Sequence, residues 1–244
     1  MTIAAVGGGA YLLRAGRDAR VVTASSTTTT TTTTTTRPPA SAPPVTAPPR
    51  DPILGNGQPV TFAFGGDSHF QSHLRRQLTQ NPTGMLGPIA PVLSAADVAV
   101  VNLETALTER GTRLDKQYTF RVPGTALGAL AAAGVDAASN ANNHAIDFGP
   151  DGLADTLSVK QFTGFPLIGV GANAAEAYAP YRLEVRGQRI AVFAATDVLD
   201  GFVVNEWPAT ETRAGIASAK DVGPLLDVIT AARADSDTIV VFMH

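Results

Sequence analysis

Short apolar runs alternate with longer helical patterns from residue 59 to the end of the chain. Each run is rich in Val, Ala, Ile or Phe, and polar or glycine residues follow it directly, a pattern typical of buried strands. The predicted strands are 60–66, 97–103, 135–140, 165–170, 181–185, 189–195 and 238–243.

The intervening sequence predicts helices at 124–134, 150–162 and 219–232. Gly134 ends the first helix, because glycine readily adopts the left-handed conformation found there, and Pro150 suits the first turn of the second. Strands that alternate with helices indicate an α/β fold with mainly parallel pairing. Gly169-Val170-Gly171 weakly resembles a dinucleotide-binding loop, but the third glycine is absent, so we interpret it as a turn.

The first 58 residues predict no compact structure. Residues 1–22 contain an apolar segment too short to span a bilayer, followed by arginines. It is either the rear part of a membrane anchor that begins upstream or a disordered leader. Residues 23–58 form a Thr/Pro-rich linker that we expect to be disordered, as a plain spacer or a stalk. This order favours an extracytoplasmic location for the domain predicted at 59–244.

Composition narrows the chemistry. The chain has 18 basic and 21 acidic residues, so nothing in its charge indicates a nucleic-acid partner. It has no cysteine, which excludes disulfides, thiolate metal ligands and a cysteine nucleophile. A bound metal would therefore need His, carboxylate, amide or water ligands, which suit Mn, Fe, Zn or Mg.

Polar side chains of this kind follow four of the predicted strands, where open α/β sheets place their chemistry. These candidates are Asp67, His69, Asn102, Glu104, Asn143, His144 and His244. Taken singly, each has an ordinary structural explanation, such as a helix cap, a surface histidine or an asparagine turn. Taken together, they predict a metal centre, in which a carboxylate such as Glu104 can bridge two ions that activate water.

The same residues carry a family resemblance. Gly66-Asp67, Asn102-Leu103-Glu104, the stretch 141–149 and the closing 240–244 resemble the CapA family of poly-γ-glutamate capsule synthesis proteins, which are similar to calcineurin-like metallophosphoesterases. The resemblance covers about 59–244 and implies a metallophosphatase-like αββα sandwich with mixed sheets. It also implies poly-γ-glutamate or a related anionic polymer, and other capsule-synthesis membrane proteins, as partners at the membrane or cell wall.

Matching by position implies a site that holds two divalent metal ions. The implied ligands are Asp67, His69, Asn102, Glu104, Asn143 and His244. The resemblance also implies that His144 is catalytic and protonates the leaving group. In the family the late histidine precedes Trp-Gly-x-Glu, whereas this sequence stops at His244, so we expect an incomplete domain that lacks further ligands.

Three functional hypotheses remain open from the sequence. The first is a capsule biosynthesis protein that acts in the synthesis, export or anchoring of poly-γ-glutamate at the cell envelope and has a metallophosphatase-like centre with two metals. The second is a secreted metal-dependent phosphoesterase, which would need the same ligands. The third is a wall-associated scaffold without catalysis.

Overall fold

The computed structural model describes residues 19–21 and 55–244. Its main strands build two four-stranded sheets. The strands are β1 (Ala19–Val21), β2 (Phe62–Ser68), β3 (Val98–Leu103), β4 (Ala106–Leu107), β5 (Arg121–Val122), β6 (Ala137–Ser139), β7 (Leu167–Ile168), β8 (Val170–Gly171), β9 (Tyr181–Val185), β10 (Gln188–Ala195), β11 (Gly215–Ile216) and β12 (Thr238–Met243). The helices are α1 (His73–Gln80), α2 (Ala90–Ala95), α3 (Thr125–Ala132), α4 (Gly149–Thr163), α5 (Ala174–Ala177) and α6 (Gly223–Ala232).

The first sheet is parallel throughout and has the order β2-β3-β6-β7. The second has the order β1-β9-β10-β12, in which β10 and β12 are parallel and the other pairs antiparallel. Two small two-stranded sheets, β4 with β5 and β8 with β11, accompany them. Because β2, β3 and β6 run the same way, their carboxyl ends meet at one edge of the first sheet.

The two sheets pack face to face. Val98 and Val100 of β3 share one buried cluster with Leu183 of β9 and with Ile190 and Val192 of β10. Side chains alternate along a strand, so the intervening residues of β3 and β10 face outward.

Helices cover both outer faces. Ala99 and Val101 of β3 pack in a cluster with Leu127 of α3 and Leu153 of α4. Phe193 of β10 packs with residues of α6 on the other side of the molecule. The order helix, sheet, sheet, helix confirms the predicted αββα sandwich, in which the second main sheet is mixed and the first is wholly parallel.

Two of the differences between the predicted and the observed element boundaries have a clear local cause. The predicted strand 165–170 is divided into β7 and β8 at Gly169, whose φ of +81° interrupts the strand. The helix predicted at 219–232 begins only at Gly223, because Ser218 bridges to Thr196 and the Ala219 amide donates to the Thr196 carbonyl. The residues just before the helix are therefore extended and pair with Thr196, the residue that follows β10.

Three helices were not predicted, namely α1, α2 and the four-residue α5. Helix α1 is largely polar and buries only Leu78, so it lacks the apolar stripe that marks a helix. Helix α2 has six residues and buries only Leu93. None of the three is long enough for its periodicity to stand out.

The prediction for the amino-terminal region falls mostly outside the described residues. Of the apolar segment 1–22, only Ala19–Val21 is described, as a strand antiparallel to β9. The disordered linker predicted at 23–58 stays a prediction. Across the described ranges, 19–21 and 55–244, we find no helix with the length and apolar character needed to cross a membrane.

Candidate metal centre

Three side chains from both sheets converge at one end of the sandwich. Asp67 lies near the end of β2, Glu104 follows β3 directly and His244 follows β12 directly. One ligand atom from each lies within 4.8 Å of the others. Glu104 is buried, His244 is partly buried and Asp67 is exposed, so the cluster opens to solvent on one side.

A register shift in β2 aligns Asp67 with the site. Gly65 pairs with Val101, whereas Asp67 pairs with Asn102, so Gly66 is an extra residue in the strand. Bulges of this kind change the direction of a side chain and are frequent beside active sites. As a result, Asn102 Nδ2 donates to Asp67 Oδ1 at 2.8 Å.

Each of the two carboxyl groups has a shifted pKa. Burial raises the pKa of Glu104 to about 7, and the adjacent Asp67 carboxylate adds to the increase. The hydrogen bond from Asn102 keeps the pKa of Asp67 below its usual value. Burial lowers the pKa of His244, which favours a neutral imidazole with a free lone pair. Of the two carboxyl groups, Glu104 is therefore the one that keeps its proton to the higher pH.

Asn102 is held at both ends of its amide. Its Nδ2 binds Asp67, and its Oδ1 accepts from Asn142 Nδ2 at 2.9 Å. Asn142 also donates to the Leu103 carbonyl at 2.9 Å, which ties the Asn-Asn-His segment to the end of β3. The structure thus gives Asn102 a role in orienting Asp67, and its role as a metal ligand stays a prediction.

Asn143 presents an amide oxygen that the protein does not use. Its Oδ1 is buried and has no hydrogen-bond partner among the described residues. Buried polar atoms are almost always paired, so an unpaired one needs an explanation. A hard cation would supply the missing partner, which is consistent with the predicted ligand role of Asn143.

His144 forms a buried pair with Asp147. Its Nδ1 lies 2.7 Å from Asp147 Oδ2, and its Nε2 lies 3.7 Å from Glu104 Oε1. The backbone amide of Phe120 donates to the same Asp147 oxygen at 2.7 Å. The imidazole is therefore fixed through Nδ1, with Nε2 directed to the carboxylate cluster.

His69 lies outside the group of three. Its ring stacks on Phe120 with centroids 4.7 Å apart, and Phe120 in turn contacts the His144 ring at 4.4 Å. The backbone amide of Gln71 donates to His69 Nδ1 at 3.4 Å. His69 still lies near enough for its charge to lower the pKa of Asp67, and its ligand role stays a prediction.

Comparison with known proteins identifies the family. The model of the bacterial capsule synthesis protein family PGA_cap matches residues 61–244, well over half of the chain. The chain belongs to this family. The resemblance seen in the sequence is therefore confirmed.

Individual relatives of this PGA_cap member are distant and longer. Two probable polyglutamine synthesis accessory proteins, from the CDC 1551 and H37Rv strains of Mycobacterium tuberculosis, are each 30% identical over 160 residues, which are 62% of this chain and 42% of theirs. The PGA biosynthesis protein CapA of Bacillus subtilis is 26% identical over 160 residues, 64% of this chain and 40% of its own. The chain thus spans about two fifths of each curated relative.

The donor set of this PGA_cap chain fits a divalent cation. Asp67, Glu104 and His244 offer two carboxylates and one imidazole, and Asn143 offers an unpaired amide oxygen. Such ligands suit Mn, Fe, Zn or Mg. The described geometry supports a group of three residues that could hold a metal ion. The number of ions and their identity stay predictions.

Sequence reasoning gave no role to several residues at this site. They are Lys116, Phe120, Asn142, Asp147 and Asp200. Asp147 had a signal, because an acid three residues after a histidine in a tight segment can reach its ring. Lys116 and Phe120 had none, since they lie in an irregular stretch between β4 and β5.

Proposed function

We propose that this chain acts in poly-γ-glutamate capsule synthesis at the cell envelope through a divalent-metal centre at Asp67, Glu104 and His244. The convergence of these three residues within 4.8 Å is the observation that carries the proposal. Membership of the PGA_cap family and the printed names of the relatives support the polymer as partner. An extracytoplasmic location rests on the order of segments predicted from the sequence.

The chemistry follows from the residues around the site. A bound divalent ion would act as a Lewis acid toward a carbonyl or phosphoryl oxygen. Asp67, Glu104 and His244 would hold it, and Asn102 keeps Asp67 in place through its amide. His144 is set to deliver or accept a proton at Nε2, because Asp147 binds its Nδ1.

A second candidate function is a metal-dependent phosphoesterase. The buried His144–Asp147 pair favours it, since a phosphate ester also needs a proton on its leaving oxygen. A non-catalytic scaffold would need neither the pair nor the metal.

The polymer and the ester can be compared directly. A Lewis acid at a γ-amide carbonyl of the polymer would favour hydrolysis of that bond. The chain, supplied with Mn²⁺, should therefore shorten poly-γ-glutamate, as measured by size-exclusion chromatography, more readily than it hydrolyses p-nitrophenyl phosphate. His144→Asn should lower the rate about 100-fold or more while metal stays bound, because only the proton transfer is removed. Asp227→Asn, at an exposed position on α6, serves as the control.

Each other result has a definite meaning. Cleavage of the ester alone would favour the phosphoesterase. Metal binding without cleavage of either compound would favour the scaffold, and equal activity of His144→Asn and the unaltered chain would contradict the role of His144.

A further inference from the structure

A buried lysine beside the centre is unexplained by the proposed chemistry. The Lys116 side chain is only 8% exposed, and its Nζ donates to the Asn143 carbonyl at 2.6 Å. The same nitrogen lies 2.7 Å from Asp200 Oδ2 and 3.0 Å from Asp147 Oδ1. It also lies 5.5 Å from the centre of the Trp207 ring, whose face attracts cations.

These contacts join three irregular segments. Lys116 lies between β4 and β5, its Asn143 and Asp147 partners lie between β6 and α4, and Asp200 and Trp207 lie between β10 and β11. Regular backbone pairing does not fix such segments relative to one another. The Leu114 amide donates to the Asp147 carbonyl at 2.9 Å and so joins the first two segments, and the Lys116 ammonium adds the contact that also brings in the third.

Two of the groups that Lys116 contacts belong to residues of the candidate site. The carbonyl that it binds belongs to Asn143, whose side-chain Oδ1 is the buried and unpaired oxygen. The carboxylate that it neutralises belongs to Asp147, whose other oxygen binds His144 Nδ1. Lys116 touches neither Asp67 nor Glu104 in any described contact, so it would act only through these neighbours.

We propose that Lys116 is a positioning residue that fixes the Asn143–Asp147 segment in the geometry needed for metal binding and for proton transfer by His144. Asn142 anchors this segment to β3 on one side, and Lys116 anchors it to the 197–214 segment on the other. The part that concerns metal rests on the proposed function. The part that concerns the geometry of His144 does not.

A purely structural ion pair is the competing explanation. Loss of Lys116 would leave the buried Asp147 without its cation, and this alone lowers stability. A folded variant would then have an unchanged site. The experiment must therefore measure both the properties of the site and the stability of the fold. It must do so for the Lys116 variant and for a variant of a second lysine that is paired in a similar way.

Lys160 provides that control. Its Nζ lies 2.9 Å from Glu176 Oε1 and donates to the Val170 carbonyl at 2.7 Å, so it also combines a carboxylate with a backbone carbonyl. It lies in the last turn of α4 and contacts none of the candidate ligands in any described contact. Lys116→Met and Lys160→Met each remove one paired ammonium and keep most of the aliphatic stem.

Three measurements on the full chain separate the explanations. Urea unfolding should show lower stability for both variants. Isothermal titration with Mn²⁺ should show a dissociation constant about 10-fold or more higher for Lys116→Met, the usual effect of losing a group that orients ligands, and unchanged within about 2-fold for Lys160→Met. Amide hydrogen exchange across 142–148 should accelerate in Lys116→Met alone.

A folded Lys116→Met chain with unaltered Mn²⁺ affinity and unaltered exchange across 142–148 would overturn the proposal. If the unaltered chain binds no Mn²⁺, the proposed function fails, but the proposal for Lys116 can still be tested. It then stands if Lys116→Met accelerates exchange across 142–148 and shifts the ¹⁵N resonances of the His144 ring, and it falls if both are unaltered. Should Lys116→Met not fold, Lys116→Arg keeps the charge. Its larger planar group should still alter exchange across 142–148, and wild-type behaviour would contradict specific positioning.

Discussion

At the scale of single residues, the site brings together two carboxyl groups, Asp67 and Glu104, that repel each other when both are ionised. Glu104 has a pKa of about 7 because it is buried and faces Asp67. A cation between the two groups would favour ionised Glu104 and remove the need for its proton. The raised pKa therefore has a measurable consequence in the metal-free protein.

The folded metal-free chain keeps the Glu104 proton up to about pH 7, whereas the unfolded chain loses it near the ordinary value of 4.5. The contribution of this proton to stability is therefore complete below about pH 4.5 and is lost as the pH rises through about 7. Glu104→Gln cannot ionise. The free energy of unfolding of Glu104→Gln minus that of the unaltered chain should therefore increase by on the order of 2 kcal/mol between pH 4.5 and pH 8.

Urea unfolding in EDTA at several pH values measures this difference. Glu211→Gln, at an exposed position, is the matched control and should show no such trend. A constant difference between Glu104→Gln and the unaltered chain across the range would contradict the raised pKa.

At the scale of elements, strand ends explain what the sequence could predict. Asp67, Glu104 and His244 each follow an apolar run. The parallel strands β2 and β3 carry the first two to a shared edge of the first sheet, whereas His244 comes from the end of β12 in the second sheet. The bulge at Gly66 could not be predicted, because it exists only in the register of β2 against β3. Lys116 was missed because its segment has neither strand nor helix periodicity, and its partners are distant in sequence.

An ion pair clamps the sheets together at the end opposite the site. Arg186, in the turn between β9 and β10, makes paired contacts at 2.6 and 2.8 Å with Asp97, which directly precedes β3. The Arg186 guanidinium lowers the pKa of Asp97 to about 2. Thr61 also donates to this carboxylate through its amide and its hydroxyl, both at 2.8 Å.

A depressed pKa gives stability that is complete above the unfolded value of 3.8 and is lost as the pH falls toward 2. Asp97→Asn should lower the free energy of unfolding by about 1 kcal/mol at pH 7, since the pair is partly exposed, and by almost nothing near pH 2. Urea titrations at both pH values check this, with Asp227→Asn as the control. An equal loss at both would show that the charge is not responsible.

At the scale of the whole molecule, the candidate centre depends on both sheets. The first sheet supplies Asp67 and Glu104, and the second supplies His244 from the end of β12. Core packing between β3 and β10 fixes the distance between these contributions. The site is thus a property of the assembled sandwich, which brings distant parts of the sequence together there.

Metal binding by the purified chain tests the central claim most directly. Isothermal titration with Mn²⁺ should show saturable binding that Asp67→Ala and Glu104→Ala abolish, because each removes a carboxylate facing the ion. Asp227→Ala on α6 should bind as the unaltered chain does, and His144→Asn should keep most of the binding. Equal binding by the unaltered chain and by both carboxylate variants, or binding by none of the five proteins, would contradict a metal centre at Asp67, Glu104 and His244.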